Sequence, residues 1–107
     1  MPIIDYHIHL WSSRFIPKSV RWSFARAAAF RSWPNKDPEA IFPLVSKGVE
    51  DPEGQYLMAD LDLAGVDIAV SALVDYGILA GEEPEVPLEG ILAHYAALQT
   101  RYAGRFY

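Results

Sequence analysis

The run VDIAVSALVDY, residues 66–76, follows Gly65 as a nearly continuous β-branched and apolar stretch. Strands of that kind are buried on both faces, and such sheets are parallel and covered by helices. The flanking residues supply the helices. Asp51-Pro52 reads as a helix start, with Asp as N-cap and Pro at the first helical position, and predicts a helix over 52–64. Leu57, Met58, Leu61 and Ala64 form its apolar stripe, and Gly65 supplies a left-handed stop. After the run comes a Gly-, Glu- and Pro-rich loop, Gly77 to Pro87, and a second helix is expected over 88–103. Its apolar face holds Leu88, Ile91, Leu92, Tyr95, Leu98 and Tyr102. Glu89 in its first turn and Arg101 before the stop at Gly104 suit the helix dipole. Residues 105–107 read as the first residues of a third strand.

At the other end, PIIDYHIHLW predicts a strand over 3–11. Ile4, Tyr6, Ile8 and Leu10 alternate onto one face, expected to pack on helices, and Ile3, Asp5, His7 and His9 onto the other. The order is therefore β, a long excursion over 12–50, α, β, α and the start of β. Strands alternating with helices imply an α/β fold of βαβ units with a parallel sheet and right-handed crossovers. The sequence shows no internal repeat and no second-domain boundary, so residues 1–107 read as one domain.

Charge is unevenly placed. Fourteen acidic residues face nine basic ones, a net charge of −5. Seven of the basic residues lie between positions 10 and 50, whereas residues 51–100 hold ten acidic residues and none that is basic. The acidic balance argues against nucleic acid as a partner. The absence of cysteine excludes disulfides, thiolate metal sites and a cysteine nucleophile. No apolar run approaches the roughly 18 residues of a membrane span. The start has no basic segment of the signal-peptide kind. The expectation is a cytoplasmic chain with no membrane partner.

The chemistry-bearing motif is Asp5-Tyr6-His7-Ile8-His9. Two histidines spaced by two on a strand project from one face, a placement that suits two imidazole ligands on one divalent metal, zinc foremost. Asp5, one step deeper on that face, is placed to orient a histidine from behind the metal. The bland alternative is a pair of polar residues on an exposed strand face. Asp75, at the end of strand 66–75, would point toward the same mouth if Ala69, Ser71 and Leu73 face inward. Alternatively it caps a turn. His94 falls on the flank of the second helix and reads as solvent-facing.

IIDYHIHLW together with LMADLDLAGVDIAV resembles the first strand, and the helix and second strand, of the amidohydrolase-related (amidohydrolase 2) branch of the amidohydrolase superfamily. The resemblance is close over residues 3–11 and 57–76 and loose elsewhere. It implies a (β/α)8 TIM barrel and a metal-dependent enzyme that hydrolyses, or decarboxylates, a small carbonyl or carboxylate substrate. By the family pattern His7 and His9 would be metal ligands. A further histidine and an aspartate would come from later strands, which this sequence does not contain. The chain therefore reads as the N-terminal part of such a barrel, inactive alone, and the full-length protein could be a homo-oligomer. Two alternatives stand beside it. One is a TatD-like nuclease or another phosphoesterase built on an HxH barrel, and the other is a non-catalytic folding or interaction module.

The excursion is longer than a βα loop needs. All three tryptophans, Trp11, Trp22 and Trp33, fall in or beside it. PKSVRWSFARAAAFRSW, bracketed by Pro17 and Pro34, is expected to be helical. It reads first as a lid or interface packed with aromatics, and second as a source of pocket contacts. Trp11 would begin the substrate-shaping segment.

Overall fold

A computed structural model of the chain describes residues 1–32, 36–48 and 50–107, with the main chain alone described at Ser32. Trp33 and Pro34 lie outside the described residues. In chain order the elements are β1 (Ile4–Ile8), a 3-10 turn (Ser13–Phe15), α1 (Lys18–Ser32), α2 (Pro38–Gly48), α3 (Gln55–Ala64), β2 (Ile68–Ser71), α4 (Tyr76–Ala80) and α5 (Leu88–Arg101). The chain forms two compact units. Met1–Trp11, Asp51–Val74 and Leu88–Tyr107 make one, and Ser12–Glu50 with Asp75–Pro87 make the other.

The first unit is a small parallel sheet with two helices. β1 pairs with β2 in parallel, Ile4 beside Ile68, Asp5 beside Ala69 and Ile8 beside Ser71. Phe106 forms a parallel bridge with Ala69. Ala69 donates to Arg105 O at 2.8 Å and Tyr107 donates to Ala69 O at 2.9 Å. Residues 105–107 thus run alongside β2 through this bridge, and the sheet among the described residues has two strands. A mixed α/β chain with a parallel sheet is the observed class.

The core of this unit is Leu10, Met58, Leu61, Ala69, Leu98 and Phe106, with Ile8, Leu57, Val66, Tyr95 and Tyr102 packed against it. That corrects the facing expected for both strands. Between Asp5 and Ile8 the register shifts by one extra residue on β1. Paired residues share a face, so Asp5 and Ile8 both fall on the face of Ala69 and Ser71. That face is covered by α3 and α5, because Ala69 lies in the core among their side chains. Ala69 and Ser71 therefore face the helices, not the opposite side. Only Ile8 and Leu10 of the expected helix-packing face reach the core, while Ile4 is 51% and Tyr6 80% exposed.

Several boundaries also differ. β1 and β2 are shorter than 3–11 and 66–75, and α5 ends at Arg101. α3 starts at Gln55, three residues beyond the expected start. Asp51 still caps it, from outside: its carboxylate accepts from the amides of Tyr56 at 3.2 Å and Leu57 at 2.9 Å. The chain can loop back in this way because Gly54 takes the left-handed conformation, φ 67°. A Cβ there would also stand 3.5 Å from the Tyr102 ring and 3.6 Å from Leu10.

In the second unit α1 packs on α2 around Ala25, Ala29 and Ile41. Trp22 stacks on Phe42 with ring centroids 4.3 Å apart, and the Arg21 guanidinium lies 5.5 Å from the same ring. Asp37-Pro38 opens α2, Asp37 accepting from the Glu39 amide at 2.9 Å. The first turn of α1 is capped by Glu82, whose two carboxylate oxygens accept from the Lys18 and Ser19 amides. Hydrogen bonding from the Ser19 hydroxyl, then from these amides, with the nearby Lys18 charge, holds the Glu82 carboxyl below the usual range. No helix among the described residues is long and apolar enough to cross a membrane.

Candidate metal centre

β1 delivers His7 and His9 to the C-terminal end of the parallel pair. Their ring centroids stand 5.1 Å apart and nearly perpendicular, at 87°. Each imidazole centre on a zinc lies about 3.2 Å from the ion, given Zn–N of about 2.0–2.1 Å, so two of them at a tetrahedral angle have centres about 5 Å apart. The observed separation fits one shared ion. His7 is exposed and His9 half-buried.

The protonation of His9 follows from its partner. His9 Nδ1 lies 2.7 Å from the Ala72 carbonyl oxygen. A carbonyl can only accept, so Nδ1 carries the hydrogen, and in the neutral ring Nε2 keeps the lone pair. A backbone carbonyl on the far nitrogen is a usual support for a metal-binding imidazole. Trp11 also lies against His9, edge-on, with centroids 5.6 Å apart, so the His9 ring touches both His7 and Trp11.

The main chain around these rings is held at Ile8, Leu10 and Trp11. Ile8 O accepts from the Ala72 amide at 2.8 Å, and Trp11 O from the Asp51 amide at 3.0 Å. Between them Leu10 O accepts from the Tyr95 hydroxyl at 3.0 Å.

The other expected residues have different roles. Asp5 lies on the Ala69 face by register, and its Oδ1 accepts from the His7 backbone amide at 3.1 Å. It therefore braces the main chain at the register shift; the expected placement on the histidine face is corrected. Asp75 is the N-cap of α4, its carboxylate accepting from the Ile78 amide at 3.1 Å. β2 ends at Ser71, so its alternation does not extend to Asp75. His94 is half-buried and not solvent-facing, its Nε2 donating to Pro52 O at 2.5 Å. Among the described residues no group of three or more His, Asp or Glu side chains is arranged to hold a metal. The pair thus offers two of the four positions of a tetrahedral ion.

Sequence reasoning missed the Ala72 carbonyl and the Tyr95 hydroxyl. Tyr95 counted only as one residue of an apolar stripe, although a tyrosine hydroxyl that goes into a core needs a partner there. In the second unit, α1 carries a groove of about 440 Å³ lined by Phe24, Ala27, Ala28 and Arg31. No family model, no curated protein and no solved structure matches this chain.

Proposed function

We propose that the first unit is part of a (β/α)8 metal-dependent enzyme of the amidohydrolase-related kind. Its substrate would be a small carbonyl or carboxylate compound, which it hydrolyses or decarboxylates. The observation that carries the proposal is the His7–His9 pair, spaced 5.1 Å apart at the C-terminal end of a strand in parallel pairing. Sites in barrels of parallel strands gather at that end. The order of β1, β2 and the bridge at Phe106 also suits it, as does the exposed Ile4 on the face away from the helices, the side a closed barrel would fill.

His7 and His9 would hold zinc or a similar divalent ion. Such an ion acts as a Lewis acid toward a carbonyl group and activates water. The chain's own contribution is orientation. Ala72 fixes the His9 ring through Nδ1, and the Trp11 ring walls the site on one side. Thermal unfolding with and without excess zinc tests the proposal. A ligand that binds the folded state raises the melting temperature. A modest rise is expected from a two-imidazole site, with zinc retained at one equivalent. No rise and no retained zinc would remove the metal site and the enzyme class with it.

A further inference from the structure

We propose that Tyr95, on α5, is a positioning residue for His9, holding the strand end so that the His9 ring keeps Nδ1 on Ala72 and presents Nε2. The proposal deepens the metal-site reading above and rests on it for its functional meaning. Its geometry lies within the first unit. His9 sits between two carbonyls that are fixed from opposite directions, Ile8 O by the Ala72 amide and Leu10 O by the Tyr95 hydroxyl. Ser71 Oγ adds to the first of these anchors, 3.5 Å from Ile8 O.

The Tyr95 ring is packed beside Phe106, centroids 6.0 Å apart, so the hydroxyl is delivered by a side chain seated on the core. Burial raises the phenol above its usual range, which keeps the group a hydrogen-bond donor. Without that hydroxyl, Leu10 O loses its partner, and the main chain from His9 to Trp11 keeps only the Trp11 O–Asp51 anchor. The 2.7 Å contact from His9 Nδ1 to Ala72 O depends on that segment's direction.

Tyr102 supplies a matched control. It lies just beyond the end of the same helix, packs against the same core, and its hydroxyl donates to a backbone carbonyl, Glu53 O, at 2.8 Å. Tyr95→Phe and Tyr102→Phe each delete one such bond. A merely structural role would affect both variants alike.

The test is the nitrogen NMR spectrum of the histidine rings in the metal-free chain, at a pH where they are neutral. The wild type is expected to show His9 as the single Nδ1–H form, as is Tyr102→Phe. Tyr95→Phe is expected to show a mixture of both tautomers. Zinc affinity is expected to fall by about tenfold in Tyr95→Phe, the scale of losing an outer partner of a ligand. A single Nδ1–H form in Tyr95→Phe, or an equal mixture in both variants, would overturn the proposal. Should Tyr95→Phe fail to fold, Tyr95→Met fills the same core position with an adaptable apolar side chain and no hydroxyl, and the same mixture is expected there. If the tautomer changes in Tyr95→Phe while the wild type binds no zinc, the positioning role stands and the metal site falls.

Discussion

Phe106→Ala is expected to destabilise the sheet unit by about 3–5 kcal/mol, the cost of emptying a well-packed aromatic site. Phe106 is 2% exposed and lies in the core with Leu10, Met58, Leu61, Ala69 and Leu98. It also carries the parallel bridge to Ala69, flanked by the hydrogen bonds of Arg105 and Tyr107 to β2. The loss should be visible by urea unfolding and, more specifically, as faster hydrogen exchange at the Ala69 and Ser71 amides. Those two amides donate to Arg105 O and Tyr107 O. Arg105 adds a second hold, its guanidinium reaching Asp62 at 2.7 Å and the carbonyls of Val66 and Asp67. A loss under about 1 kcal/mol, the scale of an ordinary surface change, with unchanged exchange at those amides, would show that residues 105–107 are not anchored there.

His9→Ala is expected to abolish measurable zinc binding, a loss larger than the about 10–100-fold that an outer partner costs. His7→Ala should do the same, because either change leaves one imidazole for the ion. His94→Ala should leave zinc binding unchanged, since its Nε2 is committed to Pro52 O. Calorimetric titration of the three variants separates them. Equal zinc affinity in the wild type and His9→Ala would place any zinc site elsewhere.

Much of the fold could be read from periodicity and punctuation. The parallel order, the stop at Gly65 and α5 all follow from such signals. Strand facing could not be read in this way. A period of two carries no mark of an inserted residue, and the shift between Asp5 and Ile8 sends Ile4 and Ile8 to opposite faces. Ala69 gave no hint either, being small enough to suit a core or a close approach. Helix starts were ambiguous for a related reason. Asp37-Pro38 and Asp51-Pro52 are the same dipeptide, yet the first opens α2 directly while the second caps α3 from outside through the Gly54 turn. α4 leaves no mark in the sequence, since five residues are too few to show a period and Asp75 alone suits a turn as well as a helix cap.

The candidate site divides in the same manner. The spacing of His7 and His9 was visible, and their rings stand side by side. What surrounds them came from residues more than sixty positions away, Ala72 through a backbone carbonyl that no side-chain pattern reveals. Asp5 shares the motif but not the face, since its role is set by the register shift.

X-ray absorption at the zinc edge, on the chain loaded with one equivalent of zinc, tests the metal centre most directly. The expected spectrum contains two imidazole nitrogens at about 2.0–2.1 Å, with oxygen completing the shell. An all-oxygen shell, with no imidazole scattering, would contradict a His7–His9 metal site.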